Sequence, residues 1–126
     1  MSFHLTIADR KMSYSAIEPL LRQISLETGQ SHIQFSVQGS SALFEGYGSR
    51  RSMYLEQQTG AGKAQVFCLS KRNKTLLQLG AEEGGIRVPA YQVLQIDDLI
   101  LILSCLLSGE DMPNAYHIEV RESRLG

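Results

Sequence analysis

Cysteine is scarce, charge is balanced and long apolar runs are missing, and each shortage removes a class of protein. The two cysteines, Cys68 and Cys105, sit in the apolar settings VFCLS and LSCLL. Neither belongs to a CxxC motif or an electropositive neighbourhood, so inert core thiols are expected rather than a disulfide framework or a nucleophile. Twelve basic residues against 13 acidic ones leave a net charge of -1. Such a chain has no overall attraction for nucleic acid or for an anionic membrane, and a charged partner would have to be met by a local patch. The longest apolar run, Leu99 to Leu107, falls well short of the roughly 20 residues a membrane-spanning helix needs. The opening MSFHLTIADRK has no basic region followed by an apolar one, so it does not read as a secretory signal, and a reducing cytoplasm is expected.

The elements of catalysis are thin as well. His4, His32 and His117 form no i, i+4 pair and have no nearby cysteine at zinc spacing. No GxSxG surrounds any serine. TGAGKA at Thr59 to Ala64 resembles the end of a phosphate-binding loop, but Gln57 and Ala64 stand where that loop needs a glycine and a Ser or Thr. A glycine-rich hairpin turn is the better expectation there. No catalytic residue, metal or cofactor is therefore expected, and the chain does not read as an enzyme.

With 126 residues, 43% of them hydrophobic, and no repeat, low-complexity tract or Pro/Gly-rich linker, residues 1–126 are expected to form a single globular domain. From Ser15 to Glu27, Ile17, Leu20, Leu21 and Ile24 recur at helical spacing. Ser15 and Glu18 suit a capping box, and Gly29 a stop. HIQFSV, ALFEGYG, SMYLEQ and AQVFCLS then alternate with period two between turn-rich breaks. That is the pattern of an antiparallel meander with one buried and one wet face. TLLQL is a possible fifth strand, GAEEGG a turn or mobile loop, and IRVPAYQVLQ is ambiguous between extended and other structure. From Ile96 the pattern is helical and apolar on nearly every side, with Asp97 and Asp98 at the positive end of the dipole and Gly109 as a left-handed stop. Such a helix must be covered on more than one face. YHIEVR closes as a strand. The fold class expected is α+β, an antiparallel sheet of about five to six strands packed against two helices in two layers, in the order α-β-β-β-β-(β)-α-β.

Two surface features stand out. GYGSRRSMY gathers Tyr47, Arg50, Arg51 and Tyr54 at a strand-turn-strand junction, and Tyr and Arg are enriched at interface hot spots. A solvated hairpin tip would account for the same residues. Glu82 and Glu83 sit in a glycine-flanked loop with no structural need for two carboxylates, although solvated loops often carry them.

Taken together, the helix, the meander, GGIRVPAYQVL, IDDLILILSCLLSGEDMP and YHIEV resemble the pattern of small bacterial immunity proteins encoded beside polymorphic and contact-dependent-inhibition toxins. Gly109, Pro113 and Ile118 would occupy that family's turn glycine, proline and final strand. The resemblance implies neutralisation of a cognate toxin protein, commonly a nuclease, by tight stoichiometric binding that occludes its active site. Carboxylates would stand in for substrate phosphates in a basic cleft: Glu45, Glu82 and Glu83 as mimics, with Tyr47, Tyr54, Arg50 and Arg51 as anchors. A secretion chaperone or adaptor that binds an effector protein is the alternative. A small enzyme would need convergent titratable groups that the spacing does not supply.

Overall fold

The computed structural model describes residues 2–7, 31–37, 43–49, 51–80 and 83–125. They form an α+β fold that is mostly antiparallel sheet with one α-helix. The main sheet has six strands, β1 (Ser2–Ile7), β2 (Ser31–Val37), β3 (Leu43–Ser49), β4 (Ser52–Gly60), β5 (Lys63–Leu69) and β8 (Tyr116–Glu122), in the spatial order β1-β2-β3-β4-β5-β8. A separate ribbon pairs β6 (Leu76–Leu79) with β7 (Ile86–Pro89). The expected meander is present as β2 to β5, and the expected last strand as β8. The possible fifth strand did not join the sheet but became half of the ribbon. The helix expected at Ser15 to Glu27 lies outside the described residues.

Strand β1 was not anticipated, and it is the one parallel neighbour, pairing Phe3 with Ile33 and Leu5 with Phe35. Parallel neighbours cannot be joined by a hairpin and require a crossover. The β4–β5 connection is the tight turn expected from TGAGKA: Gly60 pairs with Lys63, and Ala61 and Gly62 both have positive φ, 54° and 73°. Positive φ at both central residues matches the right-handed twist of the flanking strands.

Both faces of the central strands are covered, which corrects the expectation of one wet face and of two layers. On one face α1 (Ile96–Ser108) packs Ile96, Leu99, Ile100, Ile102 and Leu103 against Ile33, Phe44, Met53, Leu55 and Phe67. Ribbon residues Leu79 and Val88, with Tyr91 of the 3-10 turn Ala90–Gln92, pack against Tyr54, Val66 and Cys68 on the other. Strand β4 therefore has four consecutive buried residues, Met53 to Glu56, instead of alternating.

The chain changes face through the sheet itself. Pairing of β4 with β5 covers only Glu56 to Gly60 of β4. Before Glu56 the two strands part and Leu94 fills the gap, exchanging two 2.7 Å backbone hydrogen bonds with Met53. Helix α1 starts immediately afterwards, with the Asp98 carboxylate accepting from the Gln95 amide at 2.9 Å. It ends where Gly109 adopts φ 75° and the Glu110 amide reaches back to the Cys105 carbonyl, closing the last turn. The Tyr116 hydroxyl donates to Asp98 and ties the start of β8 to the helix. Burial, then this contact, raises the Tyr116 phenol above its ordinary value.

Gly48 and Gly109 separate two costs of a side chain. At Gly109 a Cβ meets open space, so Gly109→Ala pays left-handed strain alone, about 1–2 kcal/mol. At Gly48, with φ 137°, a Cβ would lie 2.0 Å from the Ser52 carbonyl oxygen, and relief would have to come from backbone. Urea denaturation should give a loss of at least about 3 kcal/mol for Gly48→Ala; equal losses for the two variants would contradict the β3–β4 geometry.

Candidate functional site

Tyr54, Glu56 and Gln58 alternate onto the ribbon side of β4, and this places a carboxylate in the interior: Glu56 is 0% exposed. An unpaired buried charge would cost several kcal/mol, so donors must surround it. The Oε1 atom accepts from Gln58 Nε2 at 2.7 Å, from the Ser123 hydroxyl, and from the Leu125 amide at 3.2 Å. The Oε2 atom accepts from the Tyr54 hydroxyl at 2.6 Å and from the Arg124 amide at 3.2 Å. Burial pushes the Glu56 carboxyl upward, but the bonds from Ser123, Tyr54, the Arg124 backbone and Gln58 outweigh it and hold the group below its ordinary value. The Tyr54 phenol moves the opposite way, raised first by burial and then by the carboxylate it serves.

A countercharge lies across the aromatic ring. The Arg124 guanidinium sits 5.4 Å from the centre of the Tyr54 ring and donates to Gln92 Oε1 at 2.9 Å. Gln92, itself 0% exposed, donates to the Tyr91 hydroxyl at 3.4 Å. That hydroxyl is shared between the Glu119 carboxylate oxygens at 3.1 and 3.3 Å. Arg121 approaches Glu119 to 3.4 Å, and Arg72 lies over the Tyr91 ring at 5.6 Å. The polar seam thus runs from the middle of β4 to the outer strand β8. With both its oxygens occupied, Glu56 is a poor proton acceptor for a substrate and a good clamp for the segment Ser123 to Leu125.

Beside Glu119, Cys68 is 0% exposed and donates its thiol to the Val66 carbonyl at 3.4 Å. Burial, reinforced by the charge of Glu119, pushes the thiol up to about 12. It is protonated at neutral pH and unsuited to nucleophilic attack.

The residues expected to meet a partner divide into three groups. Glu45 and Tyr54 are buried, 4% and 0% exposed, and do not present a surface. Tyr54 packs under the ribbon, and Glu45, opposite Glu56 in the register, lies on the same face of the sheet. Glu45 stands directly across from Glu56 in the strand register, an unfavourable pairing of like charges. It accepts from Gln34 Nε2 at 3.0 Å and lies 3.8 Å from His32 Nε2. Tyr47 is half-buried, while Arg51 and Glu83 are exposed. The Tyr47 hydroxyl donates to the Gly84 carbonyl at 3.5 Å, which joins the β3–β4 hairpin to the turn at Glu83. Arg50 and Glu82 lie outside the described residues. Sequence reasoning missed Glu56, Gln92, Glu119 and Arg124. The one available signal was a carboxylate in phase with the aromatic residue of YLE.

Glu56→Gln preserves shape but removes the charge and turns one acceptor atom into a donor facing other donors. A loss of about 2–4 kcal/mol is expected. Because the folded carboxyl lies below its ordinary 4.5, its contribution is complete above that value and disappears as pH falls through the lower folded value. Denaturation followed downward from pH 6 should show a shallower acid limb in the variant; an equally steep limb would contradict the clamp.

No protein-family model, curated protein or solved structure matches this chain, and its functional assignment therefore stands on the geometry of its own residues.

Proposed function

We propose that the protein is an immunity protein that binds a cognate bacterial toxin stoichiometrically in the cytoplasm and occludes its active site, a nuclease being the leading toxin class. The observation that carries this reading is the contact between Tyr47 and Gly84. It draws two segments distant in sequence, the Arg51 hairpin and the Glu83 turn, to one end of the sheet. There an aromatic side chain lies close to exposed groups of both charges, the composition suited to a specific protein contact. Arg50 and Glu82 adjoin Arg51 and Glu83 in sequence. Glu45 and Tyr54, both buried, act as the support of this surface and not as its contacts. The proposed complete fold adds a helix at Ser15 to Glu27 as the crossover that the parallel β1–β2 pairing requires.

An effector-binding adaptor is the second reading. It is favoured by the outer strand β8, whose Val120 and Ile118 are 67% and 39% exposed. Main-chain pairing at such an edge is a common way to hold an extended segment.

Co-expression with the product of the adjacent gene distinguishes the two. The immunity reading expects rescue from toxicity and a complex of equal stoichiometry that survives purification. Arg51→Glu combined with Glu83→Lys should weaken that complex at least tenfold, about 1.4 kcal/mol, with Tm unchanged. Undiminished toxicity with no complex rejects the reading. A complex sensitive only to changes at Val120 transfers the interface to β8 and favours the adaptor.

A further inference from the structure

The pairing of β5 with β8 creates a cluster that neither strand contains alone. Cys68 stands directly opposite His117 in the register, and Glu119 follows two residues along on the same face of β8. A sulfur, an imidazole nitrogen and a carboxylate oxygen from these residues all lie within 4.8 Å of one another. We propose that Cys68, His117 and Glu119 form a binding site for one zinc ion, independent of the partner surface at Arg51 and Glu83.

Three observations converge on this assignment. The donor set mixes thiolate, imidazole and carboxylate, which suits zinc and cobalt and poorly suits magnesium or calcium. His117 Nε2 is buried without a hydrogen-bond partner, and an orphaned buried nitrogen calls for a ligand. The surroundings also resemble an orienting shell. The Tyr91 ring stacks against His117 with centroids 6.4 Å apart and planes 16° from parallel, and its hydroxyl holds Glu119. Such contacts to metal-binding side chains fix their orientation.

Ligands around tetrahedral zinc lie about 3.4 Å apart, so groups now within 4.8 Å of one another must close by at most about 1.4 Å, and Glu119 must turn partly from Arg121. On binding, the Cys68 thiol releases its proton to solvent as the zinc–sulfur bond forms. A fourth position remains for water or a partner's side chain. The ion would pin β8, an outer strand, to β5.

The test uses cobalt as a spectroscopic probe of the full chain, prepared metal-free and reduced. One Co2+ per chain should bind with a near-ultraviolet thiolate-to-cobalt charge-transfer band, which one equivalent of Zn2+ abolishes. Cys105→Ala should retain the band and Cys68→Ala should lose it. His117→Ala and Glu119→Gln, at less buried positions, should each weaken binding at least tenfold while circular dichroism stays unchanged. Zn2+ should also raise Tm in wild type and not in His117→Ala. Absence of the band in wild type overturns the site, as does a band that survives Cys68→Ala or affinity unaffected by His117→Ala.

Discussion

Glu56 carries a negative charge into a layer that excludes solvent, and the ribbon side of the sheet is organised around satisfying it. Desolvation of a carboxylate costs several kcal/mol, whereas each hydrogen bond to a charged group returns about 1.5–3. Two or three bonds would roughly balance that cost; five donors reach this carboxylate. Three of the five come from Ser123 to Leu125, so the carboxylate holds the end of the described chain against β4. Arg124, fixed by its own amide, can then span Tyr54 and reach Gln92. Through Tyr91 the same arrangement reaches Glu119 on the outer strand.

Leu94 links this polar side to the apolar one. Its paired backbone bonds to Met53 let the chain leave the ribbon layer and begin α1 without stranding a buried amide or carbonyl, as the low tolerance for unpaired backbone groups demands. The side chains sort accordingly: Gln92 remains with the charged seam, while Leu94 and Ile96 belong to the helix-side core. Five residues, Gln92 to Ile96, thus take the chain from a hydrogen-bonded interior to an apolar one.

What could be read from sequence followed from local chemistry. The helix from Ile96 to Gly109 was legible because its apolar residues, first-turn acids and left-handed glycine all lie within one short segment. The β2 to β5 meander was legible from alternation and turn residues. Strand β1 went unread although SFHLTI alternates, Phe3, Leu5 and Ile7 against Ser2, His4 and Thr6, because the strand it pairs with is separated from it by residues 8–30. Non-local pairing also concealed the seam. Cys68 and His117 are neighbours only through the β5–β8 register, and Glu56 meets Ser123 only because the segment after β8 folds back. Glu45 and Tyr54 were placed on the surface because alternation reports which residues share a face, and not whether a second layer covers it.

A buried clamp of this kind ties the half-buried segment Ser123 to Leu125 to the interior of the sheet, which distinguishes it from a loosely attached segment that frays. Amide hydrogen exchange at Arg124 and Leu125, whose N–H groups meet Glu56 at 3.2 Å, measures that difference directly. Protection of both amides comparable to that of the paired core of β5 is the result expected, and its collapse in Glu56→Gln assigns it to the carboxylate. Exchange at the rate of an unprotected amide in the wild-type protein would contradict the account.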